Sequence, residues 1–168
     1  GEMVSADPLM SLKLMAHVAG VRSQRSTTDP ETVTAALVML GISPFFRAFG
    51  PQTTVDEYLG GNSAALMGLG GVLRRSNRGA AFALAFAVHR MDRDAPVIHE
   101  AALLHDFAEL LLWLRAPALA LEIAQRQAAD PTLRSAGMQL ALLNVELPDL
   151  QHALMLAWRL PPLLVRIS

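Results

Sequence analysis

The chain has 168 residues, of which 52% are hydrophobic and 17% charged, and its formal net charge at pH 7 is −1. This length fits one domain with a sizeable core, and the low charged fraction favours either a large helical core or an apolar surface that a partner covers. The chain has no cysteine, which excludes a disulfide scaffold, a thiolate zinc site and a cysteine nucleophile and is compatible with the cytoplasm.

Charge and hydropathy argue against nucleic acid and membranes as partners. The densest basic segment is Arg74-Arg75-Ser76-Asn77-Arg78 and aromatic residues make up only 5% of the chain, whereas nucleic-acid binders usually carry a broader basic surface with aromatic platforms. No segment approaches the roughly 18 apolar residues that cross a bilayer, and the N-terminus lacks the pattern of a signal peptide. We therefore expect a cytoplasmic chain without membrane insertion.

Helix start and stop signals follow one another along the chain. A capping residue before proline, or proline alone, predicts helix starts at Asp7-Pro8, Asp29-Pro30, Ser43-Pro44, Asp94 with Pro96, Asp130-Pro131, Pro148 and Pro161-Pro162. Glycine predicts helix ends at Gly20, Gly41 and Gly60-Gly61. The stretch from Gly60 to Gly71 lacks the Gly-Lys-Ser/Thr ending of a phosphate loop, and we expect a flexible connection between helices there.

Apolar residues recur at intervals of three and four between these signals, which is the spacing of amphipathic helices. The recurring positions are Leu9, Leu12 and Met15; Val33, Leu37 and Leu40; Phe82, Phe86 and His89; Leu103, Phe107, Leu110 and Leu114; Leu133, Leu140 and Leu143; and Leu150, Leu154 and Trp158. No stretch alternates apolar and polar residues for long. We expect a single all-α domain over residues 1–168, with about eight to ten short helices and no sheet.

One polar pair interrupts the most apolar of these segments. His105 and Asp106 lie within Ala101–Leu110, which reads as a buried helix, and a buried charge needs a hydrogen bond, an ion pair or a metal. In a continuous helix His105 and Glu109, four residues apart, share a face. Imidazole and carboxylate groups are the ligands that hold divalent metals in hydrolases, so the pair is a candidate metal site.

Four segments resemble the HDOD domain, a bacterial signalling relative of the HD metal-dependent phosphohydrolases. They are the Asp-Pro helix at Asp7-Pro8-Leu9-Met10-Ser11-Leu12-Lys13-Leu14-Met15, the Leu-Gly helix end at Ala36-Leu37-Val38-Met39-Leu40-Gly41, the helix Ala101-Ala102-Leu103-Leu104-His105-Asp106 and the turn Trp158-Arg159-Leu160-Pro161. They occur in the order of the family and span most of the chain. The resemblance implies an all-α signalling domain that binds proteins.

The sequence departs from the family at three places. Ala19-Gly20 stands where the family usually has Asn-Ser after its first motif, and Phe107-Ala108-Glu109 follows the His-Asp pair in place of Ile-Gly and a frequent lysine. By this resemblance, we expect the chain to lack the helices that precede the Asp-Pro segment in the family. The chain is therefore expected to be either a shortened or a divergent member.

An HD hydrolase resembling this chain needs an upstream His, the His-Asp pair and a distal Asp. Alignment places Arg75 at the upstream position, and an arginine cannot ligate a metal. Asp149 and His152 are the distal candidates, although capping of a helix start explains Asp149 better. Glu109 is a possible third ligand. With two ligands the pair reads as vestigial, with Asp106 paired to Arg75 and His105 as a buried core histidine.

Two functions stay open on these grounds. The first is a non-catalytic signalling module that contacts a protein partner or a second copy through apolar surface and needs no cofactor. The second is a metal-dependent phosphohydrolase acting on a nucleotide or another phosphate ester, in which His105 and Asp106 ligate Zn, Mn or Fe. In that case Arg74, Arg75 or Arg78 would bind phosphate.

Overall fold

The computed structural model describes residues 2–21 and 30–167, and within these ranges it has twelve helical segments and no strand. The segments are α1 (Glu2–Ser5), α2 (Pro8–Val21), α3 (Val33–Leu40), α4 (Ile42–Phe49), α5 (Val55–Tyr58), α6 (Ser63–His89), α7 (Ala95–Leu104), α8 (Phe107–Arg115), α9 (Pro117–Ala129), α10 (Ser135–Leu143), α11 (Leu147–Ala157) and α12 (Pro162–Ile167). Two of these described segments, α1 and α5, are single turns, which leaves ten longer helices. The all-α prediction is confirmed, although α6, with 27 residues, is far from short.

Packing divides the chain into two compact units. Unit 1 holds the described parts of residues 1–52, 74–105 and 155–168, and unit 2 holds residues 53–73 and 106–154. The helices α6 and α11 therefore contribute residues to both units. No helix in the described ranges combines the length and apolar character required to span a membrane.

The core of unit 1 forms around α7. Helix α2 packs against α3 and α7, and α12 packs against α7 from the C-terminal end of the chain. Leu14, Leu103, Leu104 and Leu164 are fully buried there. Each fully buried leucine contributes about 1.5–3 kcal/mol relative to an exposed one, so this cluster accounts for a large part of the stability of unit 1.

The core of unit 2 forms around α8, which packs against α9, and α9 packs against α10. Phe107 and Leu110 are fully buried and Trp113 nearly so. Gly68 of α6 lies against the indole ring of Trp113, and a Cβ atom at that position would overlap the ring. Only glycine therefore allows α6 and Trp113 to approach this closely.

Several predicted helix boundaries are confirmed. Oδ1 of Asp7 accepts hydrogen bonds from the backbone N–H groups of Leu9 (2.9 Å) and Met10 (3.1 Å), and α2 begins at Pro8. Gly41 ends α3 with a φ of 81°, a conformation that favours glycine. The other confirmed starts are those of α7, α11 and α12, each at or within one residue of its predicted position.

Other predictions of helix boundaries are partly or wholly wrong. Helix α4 begins at Ile42, within two residues of the start predicted at Ser43-Pro44, but its N-cap is Gly41 and not Ser43. At Asp130-Pro131 no helix begins; Oδ1 of Asp130 accepts from the backbone N–H of Thr132 at 2.9 Å, which makes a turn, and α10 begins later. The start predicted at Asp29-Pro30 cannot be compared, since Asp29 lies outside the described residues.

The flexible connection predicted from Gly60 to Gly71 is also wrong beyond Asn62. Gly60 and Gly61 have φ values of 56° and 76° and form a turn, but α6 begins directly after it. Oδ1 of Asn62 accepts from the backbone N–H of Ala65 at 3.1 Å and caps the helix. Ala65, Leu69 and Val72 are then buried at helical spacing, which offsets the low helix propensity of the glycines between them.

Candidate functional site

His105 and Asp106 form the turn between α7 and α8, so the continuous helix predicted over Ala101–Leu110 is wrong. The φ and ψ of Asp106 are −108° and 22°, outside the helical region, and its carbonyl accepts hydrogen bonds from the backbone N–H groups of Glu109 and Leu110, both at 3.1 Å. Because the helix is interrupted, the spacing of four residues does not by itself place His105 and Glu109 on one face. The division between the two units also falls between His105 and Asp106.

The exposure of the pair differs from the prediction of a buried core. His105 is exposed and Asp106 half-buried, so the interpretation of His105 as a core histidine is wrong. The preceding residues Leu103 and Leu104 occupy the buried positions at the end of α7, and the break in the helix after them leaves His105 outside the core. Glu109 is half-buried in the first turn of α8.

The described part of the chain brings few potential metal ligands together. Within residues 2–21 and 30–167, no three His, Asp or Glu side chains come together in a group able to hold a metal ion. A catalytic zinc normally takes three protein ligands. Arg75 is exposed on α6, and Asp149 and His152 are exposed on α11. Metal binding by His105 and Asp106 alone, and the pairing of Asp106 with Arg75, stay predictions.

The start of α8 is held by a side chain that the sequence analysis did not single out. Oε1 of Gln151 accepts a hydrogen bond of 3.3 Å from the backbone N–H of Ala108, in a buried position of unit 2. This bond satisfies one of the first-turn N–H groups that no carbonyl within the helix can reach. One face of α11 buries Leu147, Gln151 and Met155, which are four residues apart. The signal for this contact in the sequence was therefore a polar residue, Gln151, on an apolar helix face.

A second buried polar group, the carboxyl of Glu100, lies in the core of unit 1. Glu100 is 2% exposed, and its Oε2 accepts a hydrogen bond of 3.4 Å from the backbone N–H of Val33, the first residue of α3. Among the described residues Oε1 has no hydrogen-bond partner. The hydroxyl of Ser11, also buried, donates to the carbonyl of Val4 at 3.0 Å. The carboxyl is therefore enclosed with less hydrogen bonding than it can accept.

Burial determines the ionisation of this group. It raises the pKa of Glu100 to about 7, an effect that the hydrogen bond from the N–H of Val33 offsets only in part. Glu100 lies three residues after Val97 and four before Leu104, both buried, so its place on an apolar stripe was visible in the sequence. The enclosed carboxyl joins α3 to α7 and changes charge near neutral pH.

Unit 1 has an apolar groove of about 550 Å³ formed by α1, α3 and α4, here called the α3–α4 groove. It is lined by Val4, Thr34, Leu37, Val38, Gly41, Ile42, Phe45 and Phe46. At its rim Val38 and Ile42 are each 79% exposed and Phe46 is 65% exposed. Thr34 supplies the one polar side chain among these described lining residues, so the groove suits an apolar ligand surface.

Aromatic contacts hold α4 in unit 1. The ring of Phe49 contacts His17 of α2 edge-on, with ring centroids 5.2 Å apart, and also contacts Phe45 at 5.4 Å. These contacts attach α4 to unit 1 through Phe49. Every residue of α4 is nevertheless exposed or half-buried, and Ile42 and Phe46, one turn apart, are the large apolar side chains that it exposes most.

Comparison with known proteins extends the four motif resemblances to the full sequence. The family model of the HDOD domain matches residues 1–168, which is the whole chain. No curated protein and no solved structure matches the sequence.

Proposed function

The chain belongs to the HDOD domain family, and on this premise we propose that it is a non-catalytic module of bacterial signal transduction that binds proteins in the cytoplasm. The observation that carries the proposal is the α3–α4 groove with its exposed rim of Val38, Ile42 and Phe46. Monomeric proteins rarely expose a contiguous apolar surface of this kind unless a partner covers it. The partner is another protein or a second copy of the chain.

The side chains that could ligate a metal ion favour a binding role over a hydrolytic one. A phosphohydrolase of the HD type would have to hold Zn, Mn or Fe through His105, Asp106 and at least one further ligand. Within the ranges that the structure describes, such a group of three does not come together. The proposed role needs neither metal nor cofactor.

Substitution at the rim of the groove tests the proposal. Phe46→Asp places a charge on the exposed apolar surface, and Leu140→Asp, at a half-exposed position of α10, is the matched control. Sedimentation velocity over a range of concentrations measures self-association, and affinity enrichment from bacterial extract followed by mass spectrometry measures protein partners. We expect Phe46→Asp to lose the association that the wild-type chain and Leu140→Asp both show.

Hydrolysis of a phosphate ester would contradict the proposal. The assay uses nucleotides and p-nitrophenyl phosphate with added Zn, Mn or Fe. Turnover that Asp106→Ala abolishes would favour the phosphohydrolase, in which Arg74, Arg75 or Arg78 binds the phosphate. Association that is unchanged in Phe46→Asp would leave the family assignment intact but remove the groove as the binding surface.

A further inference from the structure

The second half of α6 exposes large apolar side chains along one side. Between Arg74 and His89 the helix buries Ser76, Ala80 and Ala87, which face the core of unit 1. On the opposite side Phe82 is 71% exposed and Phe86, one turn later, is 64% exposed. The helical spacing predicted for these two residues is confirmed, but the stripe that they form faces solvent.

The end of α6 adds a further exposed apolar residue in an unfavourable backbone conformation. The N–H of Asp92 donates to the carbonyl of Ala87 and the N–H of Met91 to that of Val88, both at 2.9 Å, which closes the helix. Met91 has a φ of 54°, where glycine is the usual residue, and its side chain is 88% exposed. Glycine would adopt this conformation at lower cost, and the methionine adds an exposed apolar side chain beyond Phe86.

The charged residues of the sequence segment that contains Phe82, Phe86 and Met91 are all positive. From Tyr58 to Met91 the sequence contains no Asp or Glu, and it contains four arginines: Arg74, Arg75, Arg78 and Arg90. Arg78 and Arg90 are exposed and stand four residues before Phe82 and four after Phe86. We call Arg78, Phe82, Phe86, Arg90 and Met91 the α6 outer face. Its complement is an apolar stripe with carboxylates at both ends.

We propose that the α6 outer face binds an amphipathic helix of a partner protein in which Asp or Glu residues flank an apolar stripe. The proposal rests on the proposed protein-binding function and adds to the α3–α4 groove a second surface with a partner chemistry of its own. Two antiparallel or parallel helices bury such stripes against one another, while the flanking charges set specificity and orientation. The proposed partner thus contributes two features that the outer face lacks, an apolar cover and negative charge.

Nucleic acid and membranes fit this surface less well. The guanidinium of Arg90 lies over the ring of Phe86, 5.7 Å from its centroid, and occupies a ring face that a base would need for stacking. The exposed sequence Asp92-Arg93-Asp94 follows Met91, so the charge beyond this end is mixed and does not continue the basic surface that nucleic-acid binders usually carry. Mixed charge at that end is no obstacle to a protein partner.

A charge-reversal experiment tests the proposal. The probes are two helical peptides with the same leucine stripe, one flanked by Glu and the other by Lys, and binding to the full chain is measured by fluorescence anisotropy. We expect the Glu peptide to bind about tenfold more tightly than the Lys peptide. The double variant Arg78→Glu/Arg90→Glu is expected to reverse this order, whereas Arg126→Glu/Arg134→Glu in unit 2 preserves it.

Two further measurements complete the test. Phe82→Ser/Phe86→Ser should weaken the Glu peptide about tenfold or more, while circular dichroism confirms that the variant is folded. Any of three results would overturn the proposal. They are equal affinities for the two peptides, an order of affinities that the charge reversal does not change, and tighter binding of a single-stranded oligonucleotide or of phosphatidylglycerol vesicles that depends on Arg78 and Arg90. If one of these results is found while Phe46→Asp still loses association, the proposed function is retained and only the α6 outer face is rejected as a binding surface.

Discussion

The backbone N–H of Val33 donates a hydrogen bond to Oε2 of Glu100, so that the first turn of α3 is tied to α7 by a carboxyl group almost fully withdrawn from solvent. The partial positive charge at the start of a helix favours an ionised acceptor, but burial disfavours ionisation more strongly. The result is a pKa of about 7 for Glu100. The contact between α3 and α7 therefore carries a charge that depends on pH in the neutral range.

We predict that the contribution of Glu100 to the free energy of unfolding falls as pH rises from about 4.5 to about 7. The folded state keeps a proton on Glu100 that the unfolded state, with the ordinary pKa of 4.5, releases. The stability contributed by this group is thus complete below the unfolded pKa and lost as pH rises through the folded pKa, up to about 3 kcal/mol. Urea denaturation of the wild type and Glu100→Gln at pH 5 and pH 8 measures the difference.

The glutamine variant isolates this effect from other titrating groups. It still accepts the hydrogen bond from Val33 but cannot ionise, so we expect it to be more stable than the wild type at pH 8 by about 1–3 kcal/mol and similar at pH 5. Burial lowers the pKa of His99, which gives a slope of opposite sign below pH 6.5, but both proteins retain His99. Glu122→Gln is the control at a half-exposed carboxyl. Parallel pH profiles for wild type and Glu100→Gln would contradict the prediction.

Much of the fold could be predicted because its signals are local. The cap at Asp7, the glycine at Gly41 and the helical spacing of apolar residues act within one or two turns, and the structure contains each of them. The long helix α6 was missed because its glycines are tolerated through burial of Ala65, Leu69 and Val72, which depends on tertiary packing. Local propensity cannot show that packing.

Gly68 offers a direct test of that tertiary effect. Gly68→Ala adds a methyl group that overlaps the ring of Trp113, so we expect the free energy of unfolding to fall by about 1–3 kcal/mol. Gly71→Ala is the matched control in the same helix, because its added Cβ meets no atom within 4 Å in the described chain. Gly71→Ala should stabilise the helix by about 0.5–1 kcal/mol. Thermal melting by circular dichroism compares the two, and an equal effect of both substitutions would refute the argument.

Two aspartates allow the contribution of a side-chain cap to stability to be distinguished from the effect of merely preceding a helix. Asp7 and Asp94 both precede a helix, but only Asp7 makes side-chain hydrogen bonds to first-turn N–H groups in the part of the chain that the structure describes. We expect Asp7→Ala to lower the free energy of unfolding by about 1 kcal/mol and Asp94→Ala by less than about 0.5 kcal/mol. Urea denaturation measures both, and a larger loss in Asp94→Ala would show that the assignment of the cap is wrong.

The candidate site was harder to predict than the fold. The sequence drew attention to His105 and Asp106, yet Glu100 and Gln151 are among the buried polar groups that the structure shows bonded between helices. Both lie on apolar stripes where a polar residue needs a partner distant in sequence, and spacing alone does not name that partner. The outward position of His105 depends on a helix break that its apolar neighbours do not predict.

The metal content of the purified protein tests the interpretation of His105 and Asp106. We expect far less than one equivalent of Zn, Mn or Fe per chain in protein purified without chelator, because two ligands hold a divalent ion weakly. Mass spectrometry of metals should give the same result for the wild type, for Asp106→Ala and for the control Asp56→Ala, which changes an exposed residue of α5. EDTA should leave the melting temperature of all three unchanged. A full equivalent of one metal that is lost in Asp106→Ala and kept in Asp56→Ala would instead indicate a third ligand and favour the phosphohydrolase.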